Sequence, residues 1–383
     1  MDRHALRYLR WLGATMLAAA AAVALMVLLV DPYGLYGWVD VAGFNRVKAP
    51  LARYQNEIKL ARALRLRPQV VLVGNSRVEA GFDPDGPALR GANAINLGIA
   101  GTGTPTAIGQ LRYLAAHGIR PRRVIAGLDV VDAMTPRPIV SARAPVLRIP
   151  WPGRWWQLDA LLSAASLRDT LWTVALQRDA DGAMATPRGF NPLRQYGSAA
   201  RLEGYAAIFR QRAQENARKL AARSGGGLDV PAVRAEVRAL LDAAAQGNPA
   251  VRVDLLVYPY HAQLLAMFEA AGLWRRFEAW KAVLREEVAA ARLRHPRARI
   301  VLADFGAYGP WQCEPIPAEG SGAMTTWYWE AGHFKAALGE VLLARLDDTA
   351  DRAHDATAGR AACVARQPGL FIDAARLVAR AGR

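Results

Sequence analysis

The chain has 383 residues, of which 52% are hydrophobic, enough for a large buried core and too apolar for global disorder. Its net charge of +16 invites a nucleic-acid reading, but only five of the 49 basic residues are lysines. The arginines are scattered among alanines, with no basic run interleaved with aromatics and no zinc-finger or RNA-binding signature, so nucleic acid is not an expected partner. A basic surface of this kind suits anionic glycans or lipid headgroups instead.

Residues 1–10 carry Arg3, Arg7 and Arg10 against a single Asp2, and residues 11–30 run without a charge. Twenty helical residues at 1.5 Å each cover roughly 30 Å, the thickness of a bilayer's hydrocarbon. The positive flank predicts residues 1–10 in the cytoplasm, a single-pass anchor over 11–30 and the main domain outside. A cleavable signal peptide is the rival reading. The anchor is favoured because the apolar run is long and its bulky residues, Leu25 to Val30, come last. The expected location is a bacterial inner membrane with the domain in the periplasm.

Residues 31–69 read as a turn-rich linker, "DPYGLYG", followed by a membrane-proximal helix over 53–68 that ends at Pro68. Short apolar runs then alternate with helical patterns: "QVVLVGNS", "NAINLGIAG", the helix-like "TPTAIGQLRYLAAHG" and "RRVIAGLDV". Further along come "VRVDLLVYPYH", a helical region from Ala262 to Arg292, "ARIVLADF" and a last helix starting near Phe334. Strands separated by helices of this length predict βαβ units and a parallel sheet, an α/β domain over 70–347. Residues 134–249 break the alternation and read as a helical insertion, and 348–383 as a loose C-terminal tail. Cys313 and Cys363 fall in the exported part, either as a disulfide permitted there or as two unrelated thiols.

The first strand runs straight into Gly74-Asn75-Ser76-Arg77. Ser76 is either a plain helix cap or a nucleophile at the carboxyl end of a parallel strand. A nucleophile needs a base and a group to orient the base. Of the six histidines, His4 lies on the cytoplasmic side, His117 and His295 at element ends, and His354 in the tail. His261 and His333 remain. Glu330 precedes His333 by three residues, a spacing that lets a loop or a first helical turn bring the carboxylate to the imidazole.

These blocks resemble those of the SGNH (GDSL-type) hydrolases, an α/β family with its serine near the N-terminus and an acid–histidine pair near the C-terminus. Gly74-Asn75-Ser76 matches the Gly-Asp-Ser block with Asn for Asp. "NLGIAGTGT" matches the block whose glycine N–H helps bind the oxyanion, with Gly98 the first candidate and Gly101 the reserve. "GLDVVD" puts Asp129 where the family has an oxyanion-binding Asn, and Glu330-Ala-Gly-His333 stands for Asp-x-x-His. A carboxylate donates no hydrogen bond, so Asp129 is expected to brace the Ser76 loop while backbone N–H groups of Ser76 and Gly98 hold the oxyanion. The arrangement is closest to membrane-anchored, SGNH-like proteins of exopolysaccharide O-acetylation, which implies a three-layer α/β fold around a Ser76–His333–Glu330 triad. It also implies an envelope glycan or acyl donor as ligand and a membrane-bound O-acyltransferase as a partner. Arg77, His261, Trp327 and Trp329, with Trp311 nearby, are candidate substrate contacts, each also open to a packing role. The alternative is a non-catalytic binding or scaffold module, for which Asp129 speaks. No metal motif and no dinucleotide or phosphate-loop fingerprint appears, and no cofactor is expected.

Overall fold

The computed structural model describes residues 2–134, 155–179, 182–348 and 356–382. Residues 135–154 and 180–181 of the expected insertion, and 349–355 of the expected tail, His354 among them, lie outside the described residues. The chain runs through α1 (Arg3–Val30), α2 (Gln55–Leu66), β1 (Val70–Val73), α3 (Ser76–Gly81), β2 (Ala94–Asn96), α4 (Thr104–Ala116), β3 (Arg123–Leu128) and α5 (Val130–Ala133). Five helices follow, α6 (Trp155–Leu162), α7 (Ala164–Leu176), α8 (Arg194–Glu203), α9 (Tyr205–Ala221) and α10 (Val230–Gly247). Then come β4 (Arg252–Val257), α11 (Ala262–Ala270), α12 (Trp274–Arg294), β5 (Arg299–Asp304), β6 (Tyr328–Glu330), β7 (His333–Phe334), α13 (Ala336–Asp348), α14 (Ala356–Arg366) and α15 (Pro368–Ala381).

Two compact units result, one from the described parts of 1–62 and 148–187, the other from those of 63–147 and 188–383. The first holds α1, the linker after it, and the helix pair α6 and α7. Among the described residues α1 alone is long and apolar enough to cross a membrane. Its last carbonyls are closed by side chains from the linker: Asn45 Nδ2 and Lys48 Nζ both donate to the Val30 carbonyl, at 3.2 and 3.0 Å.

The second unit is built on a five-stranded sheet of order β2-β1-β3-β4-β5, parallel throughout. Each of the five strands falls on one of the apolar runs read from the sequence. β1 is Val-Val-Leu-Val and fully buried, as a strand covered on both faces must be. The crossovers β2-α4-β3, β3-α10-β4 and β4-α12-β5 step in one direction, so the right-handed rule puts all three helices on one face. α10 accordingly packs against both α4 and α12. The step from β1 to β2 goes the other way and sends α3 to the opposite face, where α13 packs on it. The reversal at β1 opens a crevice at the carboxyl ends of β1 and β3.

The helical insertion is not one body. α6 and α7 belong to the first unit, whereas α8, α9 and α10 stay with the sheet, α10 as an ordinary crossover helix. Nor are the described residues of the tail loose. α15 packs on α9 and α11, burying Ala374 and Val378, and α14 is fastened by a Cys313–Cys363 disulfide.

Candidate active site

The turn after β1 decides what Ser76 is. Gly74, at φ +151°, takes a backbone conformation that favours glycine, and a Cβ there would fall 2.6 Å from Val78 Cγ2. Asn75 then caps α3, its Oδ1 accepting from Arg77 N–H at 3.1 Å. With the cap supplied by Asn75, the Ser76 hydroxyl is not the cap, and it meets His333 Nε2 at 2.8 Å.

Glu330 and His333 face each other across a two-residue hairpin, paired in the β6–β7 register. Their spacing is therefore that of a tight strand turn, where the sequence suggested a loop or a helical turn. Glu330 Oε1 bonds His333 Nδ1, and Oε2 accepts from Gly332 N–H at 2.8 Å, so both carboxylate oxygens are held. Burial by itself raises the Glu330 pKa; the adjacent His333, the Gly332 amide and Arg77 outweigh it and hold it down to about 2.

Asp129, at the end of β3 and the cap of α5, braces the serine loop. Its Oδ2 takes Asn75 Nδ2 at 2.8 Å and the Arg77 guanidinium; its Oδ1 takes the Tyr260 hydroxyl at 2.7 Å and Val131 N–H at 2.9 Å. Four donors around one buried carboxylate leave no role for it as a hydrogen-bond donor. Tyr260 stays protonated to serve it, since burial first and Asp129 next push its pKa well up.

Several expected contacts resolve differently. Arg77 borders the cavity, but its guanidinium is committed to Asp129 and, at 2.7 Å, to the Gly332 carbonyl, over the rings of Tyr258 and Tyr260. It joins the serine loop to the acid–histidine hairpin. Gly98 N–H is taken by Asn96 Oδ1 at 2.9 Å, and a Cβ on Gly98 would meet Glu79 N at 2.7 Å. Gly98 is thus a close-approach residue beneath α3, and of the two expected glycines it is Gly101, at φ +73°, that borders the cavity.

His261 is fully buried as the cap of α11. Its Nδ1 accepts from Gln263 N–H at 3.1 Å, which leaves Nε2–H to donate to the Glu314 carbonyl at 2.8 Å. Burial lowers its pKa to about 4 and the ring is neutral. Trp327 enters through its backbone, donating to the Glu314 carboxylate, and the Trp329 ring lies between Tyr196 and Lys335. Trp311 stacks under Arg345. None of the three tryptophans, nor His261, borders the cavity.

That cavity, of about 320 Å³, has Ser76, Glu330 and His333 on one side and on the other a wall of Arg212, Glu215, Asn216 and Lys219 from α9, with Arg223 just past its end. The four on α9 share one helical face, at i, i+3, i+4 and i+7. They were missed because α9 reads as an ordinary amphipathic helix whose polar stripe looks like a solvated surface. Among the described residues no cluster of acidic, His or Cys side chains has the makings of a metal site. Compared with known proteins, the chain matches no family model and no curated protein.

Proposed function

We propose that the chain is an SGNH-type serine acyl-esterase or O-acyltransferase, held at a bacterial inner membrane by α1, with its α/β unit in the periplasm acting on an envelope or exported glycan. The observation that carries the reading is the chain of contacts from Ser76 Oγ through both ring nitrogens of His333 to Glu330. His333 Nε2 takes the Ser76 proton as Oγ adds to an acyl carbonyl, and Glu330 steadies the imidazolium that forms. His333 then returns the proton to the leaving alcohol, giving acyl-Ser76. Water or a sugar hydroxyl, deprotonated in turn by His333, removes the acyl group.

The oxyanion needs donors that nothing else uses. Ser76 is the first residue of α3, so its N–H has no carbonyl one turn back. The second donor in this reading is the backbone at Gly101, since Gly98 is spoken for. The bonds of Asp129 give it a structural task in this reading, as the brace of the serine loop. A multispanning membrane acyltransferase remains the partner this reading implies as acyl donor.

Treatment of the full chain in detergent with a fluorophosphonate is expected to add one adduct by intact mass, absent from Ser76→Ala. Folded protein that takes no adduct would sink the enzyme reading.

A further inference from the structure

The pair α6–α7 carries its polarity inside out. On the covered side are Ser166, Thr170 and Thr173, all fully buried, with Asp159 bonded to Arg53 and Asp169 to the Tyr33 hydroxyl. On the outer side Trp155, Leu158, Leu162, Leu171 and Trp172 are each between 46 and 64% exposed. In water this arrangement wastes the apolar surface, whereas helices in lipid put small and hydroxyl residues at their contacts and large apolar residues outward.

Both helices pack on α1, and the residues α1 buries, Val27 and Val30, lie in its last turn. At 1.5 Å per residue the stretch from Val27 to Val30 is about 6 Å long, within the depth of about 5–10 Å to which interfacial helices sink. Just beyond it come Tyr33, Tyr36 and Trp38, the residue types that gather at a membrane–water boundary. Arg168, paired with Asp169 at 2.9 Å, and Trp172 also border a cavity of about 240 Å³ with Leu51 and Pro50, so polar and apolar groups meet beside the outer face.

We infer that α6 and α7 lie in the outer interface of the bilayer beside the exit of α1, with the Leu158–Leu171–Trp172 face against lipid. The inference rests on α1 crossing the membrane and is independent of the serine chemistry. With Cys313 and Cys363 paired, single cysteines introduced elsewhere take a spin label selectively. The full chain, reconstituted in phosphatidylethanolamine–phosphatidylglycerol nanodiscs, is labelled at Leu158→Cys and at Leu171→Cys. Leu17→Cys within α1 serves as the lipid reference and Leu202→Cys on α8 as the water reference.

Labels at 158 and 171 are expected to collide more with oxygen than with a water-soluble nickel complex, as at 17 and opposite to 202. A water-like response at 158 and 171 beside a lipid-like one at 17 overturns the inference and leaves the anchor standing. Shielding from both reagents overturns it too, because a protein would then cover the face. A water-like response at 17 removes the anchor and the inference together.

Discussion

At the scale of single residues, the serine loop shows why one residue type can be read two ways. Ser76 is free to face His333 because its neighbour Asn75 has taken the capping role. Asp129 departs from the pattern the sequence resembles, and its four donors account for the departure: an amide there would turn one acceptor into a donor facing Asn75 or Arg77. Breaking a buried ion pair by removing one partner costs about 3 kcal/mol or more, and Arg77 and Asp129 side chains are only 13 and 5% exposed. Asp129→Asn is therefore expected to lower the unfolding free energy by about 3 kcal/mol and to reduce fluorophosphonate labelling. A variant of unchanged stability that labels faster would show that Asn at 129 restores an oxyanion donor and that the brace is dispensable.

At the scale of elements, the loops that bring β6 and α11 together carry the pH response. His261 must stay neutral to accept at Nδ1 while it caps α11, and its pKa falls from an ordinary 6.5 to about 4. The unfolded chain binds the proton more readily, so this stability is complete above about pH 6.5 and drains away as the pH falls toward 4. The full effect is about 3 kcal/mol. Thermal melts of the full chain should show that loss, and His261→Asn, which keeps a capping acceptor, should lose less over the same range. Equal pH dependence in the two proteins would place the acid sensitivity elsewhere. The same loop is held from the other side by the C-terminal helices, since Gln367 Nε2 reaches the Cys313 and Glu314 carbonyls at 3.2 and 3.3 Å. The tail is thus part of the scaffold behind Glu330. Its composition, rich in alanine and arginine, reads as a loose tail because the buried positions Ala374 and Val378 do not stand out from their neighbours.

At the scale of the whole molecule, the charge-free run of α1 and its arginine flank predict opposite sides of the membrane for its two ends. A membrane-impermeant maleimide applied to intact spheroplasts should label Leu202→Cys and should reach His4→Cys only after lysis. Labelling of both before lysis, or of His4→Cys alone, would reverse or remove the anchor topology.

The apolar span, the five strands and the order of Ser76, Glu330 and His333 along the chain are legible without a fold, because each is a local pattern of burial or spacing. Tertiary structure alone decided which polar groups are already spent. Asn96 closes off Gly98, Tyr260 reaches Asp129 from 131 residues away, Glu314 consumes the second nitrogen of His261, and α9 supplies the far wall of the cavity. Partners so distant in the chain leave no periodicity to read: a hydrogen-bonding group is available to a substrate only when every neighbour that folding brings to it is known.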